Sequence, residues 1–136
     1  MNNYLFFRTD RIGDFLVSAI LIKSIKRNDP KSRIIVIASQ KNFNFIKSFK
    51  FVDKTILYPN TLFKKIKLAR YLRKKKYKLI CALDGKKRSI YFSLILKSSK
   101  KILFTTKKIF KIIFNKLFFL ILFFNDRSEE RRVGKE

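Results

Sequence analysis

Short apolar runs alternate with segments of helical periodicity along most of the chain. Tyr4–Arg8 (YLFFR) is a short apolar run of the kind that forms a buried strand. A polar turn follows, Thr9-Asp10-Arg11-Ile12-Gly13-Asp14. Phe15–Arg27 then sets Leu16, Ala19, Ile20, Ile22 and Ile25 on a largely apolar helix, which Asn28-Asp29-Pro30 breaks. Arg33–Ser39 (RIIVIAS) is continuous and β-branched, the pattern of a strand covered on both faces. Asn42–Phe49 reads as a short helix and Val52–Tyr58 as a strand closed by Pro59. Leu62–Lys76 carries Leu62, Ile66, Ala69 and Leu72 at helical spacing under a dense basic face. Leu79–Leu83 is a fourth strand ending at Asp84-Gly85, Ser89–Leu96 is helical, and Ile102–Thr105 is a fifth strand.

This alternation, with short connections, predicts an α/β fold built on a doubly wound, Rossmann-like parallel sheet. Such sheets bind ligands beyond the carboxyl ends of their strands, so the first strand-turn-helix is the place to look for chemistry. There is no internal repeat and no flexible linker. Ile109–Phe124 is dense in Phe, Ile and Leu, and Leu117–Phe124 is an uninterrupted apolar run of eight. A membrane-spanning helix needs about 20 apolar residues. The sixteen here are interrupted by Lys111, Asn115 and Lys116, so the segment is expected as a buried or membrane-apposed helix. No basic region followed by a long apolar run opens the chain, so no signal peptide is expected and the location is expected to be cytoplasmic.

Composition narrows the chemistry. A chain of 136 residues is enough for one domain. With no His there is no His-centred triad and no His-ligated zinc; with Cys81 alone there is no internal disulfide and no four-cysteine metal site. No metal or cofactor is expected. An apolar content of 47% is too high for a disordered basic tail, so a core is expected. The net charge of +25 suggests nucleic acid or an anionic membrane surface. Yet Lys, Ile, Phe and Asn make up 66 residues while Ala, Gly and Pro make up nine, the signature of A/T-rich codons. Nucleotide bias therefore shares responsibility for the charge, which by itself names no partner.

The composition also breaks near residue 127. All six acids of residues 1–126 are Asp, whereas the three Glu, Glu129, Glu130 and Glu136, crowd the end together with Arg127, Arg131 and Arg132. The string RSEERRVGKE resembles the in-frame translation of a common sequencing adapter, AGA TCG GAA GAG CGT CGT GTA GGG AAA GAG, at all ten codons. Residues 127–136 are therefore expected to be a non-native tail and set aside from fold reasoning. Residues 1–126 are expected to be an incomplete domain, still with thirty basic against six acidic side chains.

The turn Arg8-Thr9-Asp10-Arg11-Ile12-Gly13-Asp14 sits where a helix should open. Gly13 would let the backbone turn tightly or approach a ligand closely. Asp14, near the positive end of a helix dipole, would be favoured in its ionised form and could act as a general base toward a hydroxyl. The plainer alternative is a helix cap or a first-turn acid without chemistry.

The run FFRTDRIGDFLVSAILIKSIKRNDPKSRIIVIAS followed by VDKTILYP resembles the N-terminal portion of glycosyltransferase family 9, the heptosyltransferase family of lipopolysaccharide core assembly. The shared parts are the strand Tyr4–Phe7, the turn from Arg8 to Gly13-Asp14, the apolar helix Phe15–Lys26, Pro30, the strand Ile34–Ala38, Val52-Asp53 with Ile56-Leu57, and Tyr77 to Gly85 with Arg88-Ser89. Together they cover about residues 3–105. Where many members carry Tyr-Asp this chain has Tyr77-Lys78, and Ala82 stands where Asp is frequent.

The resemblance implies the N-terminal, acceptor-side half of a two-domain GT-B fold. It implies inverting, metal-independent transfer of a sugar from a nucleotide-sugar donor, typically ADP-heptose, held by a C-terminal domain that these residues lack. It makes Asp14 the catalytic base and places Arg8, Thr9, Asp10, Arg11, Gly13, Lys64, Lys65 and Lys67 at the acceptor. That acceptor is an anionic glycolipid, the lipopolysaccharide inner core, which puts the protein peripherally at the inner membrane with no role for nucleic acid. The fragment alone would be inactive. The competing expectation is a small basic membrane-surface or nucleic-acid-binding protein using Lys64–Lys78 beside Ile109–Phe124.

Overall fold

The computed structural model describes residues 1–105 and the strand Leu120–Phe123. Its elements are β1 (Asn3–Arg8), α1 (Ile12–Asn28), β2 (Arg33–Ala38), α2 (Phe43–Lys47), β3 (Lys54–Leu57), α3 (Leu62–Arg73), β4 (Tyr77–Ala82), α4 (Lys87–Ile95), β5 (Ser98–Thr105) and β6 (Leu120–Phe123). The strands form one parallel sheet in the order β3-β2-β1-β4-β5-β6. The expected α/β Rossmann-like class is what the chain adopts.

Strands covered on both faces explain the unbroken apolar runs. Alternate residues of β1 enter opposite layers. Leu5 and Phe7 join Ile35, Ile37, Leu72 and Ile90 under α3 and α4. Tyr4 and Phe6 join Phe15, Ile22, Val36 and Ile46 under α1 and α2. The second layer is extended by Phe45, Phe49 and Phe51, whose rings stack in series with Phe15 at centroid distances of 5.1 to 6.3 Å. Cys81 is fully buried in this layer, and burial pushes its thiol up to about 12, so it is an apolar core residue without thiolate chemistry.

Asp53 of the motif and Thr61 have structural roles. Asp53 accepts a hydrogen bond from the Ile34 backbone N–H at 2.7 Å and pairs with Lys26 Nζ at 2.9 Å. It thereby ties the end of α1 to the starts of β2 and β3. Thr61 caps α3 by accepting from the Lys64 N–H.

Several element ends differ from expectation, β5 opening at Ser98 and not Ile102, and two differences change the picture. The first helix opens at Ile12, not Phe15, so Gly13 and Asp14 lie in its first turn and Arg11 is the extended residue before it. The segment Leu120–Phe123 is a strand in register with β5, Thr105 opposite Phe123, not part of a helix. An apolar run with no polar residue has no period that separates strand from helix, and pairing with the free edge of β5 decides it. The rest of 109–124 and the tail 127–136 lie outside the described residues. Among the described residues no helix is long and apolar enough to cross a membrane.

Candidate active site

The sheet order reverses direction between β1 and β4: the chain runs outward from β1 through β2 to β3, then returns to place β4 on the other side of β1. At such a switch point the loops after the two central strands part and leave a crevice. Here those loops are 9–11 and 83–86. A cavity of about 390 Å³ opens between them, bordered by Asp10, Asp14, Ser39, Lys41, Lys86 and Arg88. A smaller one of about 230 Å³ continues it past Tyr58 and Asn60.

The walls are held by hydrogen bonds between residues distant in sequence. Asp84 accepts from the Thr9 hydroxyl at 2.5 Å and from the Ser89 hydroxyl at 2.6 Å, while its other oxygen accepts from the Lys86 N–H at 3.2 Å. Lys86 Nζ returns a bond of 2.9 Å to the Thr9 carbonyl. Gly85 makes the turn possible with φ +67, the left-handed region that side chains with a Cβ disfavour. On the other wall Asn42 is fully buried. Its amide nitrogen donates to the carbonyls of Arg8 at 2.9 Å and Asp10 at 3.0 Å, and its oxygen accepts from the Ser39 N–H at 2.8 Å and hydroxyl at 3.0 Å. All four hydrogen-bonding positions of the amide are used.

Arg8 was expected at the acceptor, and the structure gives it different work. It is only 7% exposed. Its guanidinium donates to the Leu83 carbonyl at 2.7 Å and to the Asp14 carbonyl, and pairs with Asp10 at 2.9 Å. Arg8 thus joins the ends of β1 and β4 to the first turn of α1 and positions Asp14. Thr9, 2% exposed, lines the cavity while its hydroxyl donates to Asp84. Asp10 keeps one buried carboxylate oxygen without a partner. Burial holds its pKa above the ordinary carboxylate value, against the lowering effect of Arg8.

Asp14 is the accessible acid of the cleft. It stands in the first turn of α1, exposed, and its carboxylate has no hydrogen-bond partner among the described residues. Of the plainer alternatives, the cap fails, since Arg11 occupies that position, and the first-turn acid describes where Asp14 stands. A first-turn carboxylate facing a cavity, with its backbone clamped from behind, is geometrically free to take a proton from a bound hydroxyl. Gly13 beside it has no positive φ, so no tight turn requires it; a Cβ there would meet nothing within 4 Å. Gly13, expected at the acceptor, is not among the residues that line the cavity.

The basic rim differs in part from expectation. Arg11 lines the cavity, but Lys41, Lys86 and Arg88 supply most of the positive charge; of these three only Arg88 stood out in the sequence, as part of Arg88-Ser89 and not as an acceptor contact. Arg88 lies over the ring of buried Tyr58 at 4.4 Å, with Lys65 nearby at 5.7 Å. Lys64 and Lys67 border a separate groove of about 400 Å³ between β3 and α3, together with Lys54, Ile56, Leu68 and Tyr71. Hydrogen bonds from Lys54 and Lys75 bring the Tyr71 phenol down to about 8 there. Among the described residues no group of three or more acidic, His or Cys side chains is arranged to hold a metal ion.

No protein-family profile matches the chain, and no curated protein matches it. Solved structures do. The glycosyl transferase family 9 structure from Veillonella parvula DSM 2008 superposes with a TM-score of 0.70 at 13% identity, covering 89% of this chain and 36% of that one. The E. coli ADP-heptose lps heptosyltransferase II gives 0.63 at 19% identity, over 76% of this chain and 30% of that one. E. coli heptosyltransferase WaaC with ADP gives 0.61 at 13% identity, over 75% and 35%. The chain spans about a third of the length of each of these structures. It has the Rossmann-like fold of glycosyltransferase family 9 and of the ADP-heptose heptosyltransferases.

Proposed function

We propose that this chain is the acceptor-side part of a glycosyltransferase that moves a sugar, heptose in the closest chemical reading, from a nucleotide-sugar donor to an anionic glycolipid of the lipopolysaccharide inner-core type. The observation that carries the proposal is the unpartnered Asp14 carboxylate at the switch-point cleft, ringed by Arg11, Lys41, Lys86 and Arg88. In this reading the acceptor hydroxyl loses its proton to Asp14 as its oxygen bonds to the anomeric carbon. The bond from that carbon to the diphosphate breaks on the opposite face, so configuration inverts. One positioned base suffices, and neither His nor a metal is called for. The basic rim holds the carboxylates and phosphates of the acceptor by charge-assisted hydrogen bonds.

Donor binding belongs, in this proposal, to a second domain beyond these residues, and the chain alone would bind acceptor without turnover. The acceptor places the protein on the cytoplasmic face of the inner membrane. The test is a transfer assay on the complete enzyme with Lys41→Gln and Arg88→Gln. Each is expected to raise KM for the anionic acceptor about tenfold, as loss of a charge-assisted contact does, while kcat changes little. Unchanged KM in both variants would remove the acceptor from this cleft.

A further inference from the structure

The outer face of α3 carries an arrangement that the cleft does not use. Leu62 and Phe63 are 74% and 78% exposed, and Ile66, one turn on, is 46% exposed. At helical spacing these three form an apolar triangle on the N-terminal end of the helix. Around and behind them α3 carries Lys64, Lys65, Lys67, Arg70 and Arg73, with no acidic residue in the helix. Lys64 and Lys65 also sit near the positive end of the helix dipole, where cations are disfavoured unless an anion compensates. An apolar wedge enclosed by uncompensated cations is complementary to one kind of surface, acyl chains beneath anionic headgroups.

We infer that α3 is a membrane-docking element: Leu62, Phe63 and Ile66 enter the acyl boundary of an anionic bilayer while Lys64, Lys67 and Arg70 engage its phosphates. The groove between β3 and α3 has the same character, with Lys54, Lys64 and Lys67 at its rim and Ile56 and Leu68 in its wall. The helix begins directly after Asn60 and Thr61, and Asn60 borders the cleft. Docking there brings the cleft mouth to the bilayer, which serves the glycolipid acceptor of the reading above; only that purpose rests on the reading. A second and larger exposed apolar face, Ile12, Leu16, Val17, Ile20 and Leu21 on α1, lies on the opposite side of the sheet, where a flat bilayer touching α3 cannot reach it; residues 12–22 carry Asp14 and no cation, so it lacks the charge that suits α3 to anionic headgroups. It is the internal control.

The experiment is co-sedimentation of the full chain with vesicles of phosphatidylcholine alone or mixed with phosphatidylglycerol. Wild type is expected to partition onto the mixed vesicles and far less onto phosphatidylcholine. Leu62→Ser/Phe63→Ser, which leaves the charge unchanged and touches exposed side chains, is expected to lower partitioning more than tenfold. Lys64→Gln/Lys67→Gln is expected to do the same and to flatten the salt dependence. Val17→Ser/Ile20→Ser should partition as wild type. Wild-type partitioning by the Leu62/Phe63 variant, or loss confined to the Val17/Ile20 variant, would overturn the inference. So would duplex DNA binding that matches vesicle binding and ignores Leu62 and Phe63. Sugar transfer plays no part in the readout, so failure of the glycosyltransferase reading would not register here.

Discussion

Asp14→Asn is expected to slow sugar transfer by the complete enzyme about 10²- to 10⁴-fold, the range lost when a positioned general base is removed. Folding should be nearly unaffected. The carboxylate makes no hydrogen bond among the described residues, and the backbone contact from Arg8 goes to the Asp14 carbonyl, which Asn retains. The stability cost is limited to a first-turn interaction with the helix dipole, about 0.5 kcal/mol. KM for the acceptor should stay close to wild type, because the basic rim remains. Turnover near the wild-type rate would exclude Asp14 as the base, and a large fall in melting temperature would make it a structural residue.

Asn42→Ala should do the opposite, acting on stability and reaching the site only through it. The amide satisfies the carbonyls of Arg8 and Asp10 and the Ser39 N–H in a fully buried position. Removing it takes a hydrogen bond from three backbone groups, of which the Asp10 carbonyl keeps a long one from the Ser39 hydroxyl at 3.4 Å, at about 1–3 kcal/mol for each group left unpaired before relaxation and water entry. A net loss of about 3 kcal/mol is expected, lowering Tm by about 15 °C in a domain of this size. Asn42→Asp should be no better: its oxygens can still accept from Ser39 but face two carbonyl oxygens with negative charge. Thermal melts of both variants decide it. A shift of only a degree or two would mean that the loop 9–11 is held by something other than Asn42.

The order of strands and helices was readable because it depends on local signals. Continuous β-branched runs mark doubly covered strands, and Asn28-Asp29-Pro30 and Asp84-Gly85 punctuate them. The turn carrying Asp14 was readable for the same reason. What was not readable depends on contacts across the fold. Asn42 acts on residues more than thirty positions away and Asp84 on Thr9 at seventy-five, and neither partnership leaves a local trace. Ser39 and Asn42 at the end of a strand are a weak turn signal at best. Arg8 was expected at the acceptor, but β4 arrives beside β1 and buries it against Leu83 and Asp14. Lys41, Lys86 and Arg88 meet at the cleft only because the sheet reverses between β1 and β4.

The crevice between the loops after β1 and β4 is expected to receive an anionic saccharide. Hydrogen exchange of the chain with and without a water-soluble oligosaccharide bearing carboxylates and phosphates tests it most directly. Slower exchange is predicted in residues 9–15 and 84–90, the two walls of the cleft, with α3 unchanged in the absence of lipid. Exchange unaltered in both walls, or protection confined to α3, would contradict it.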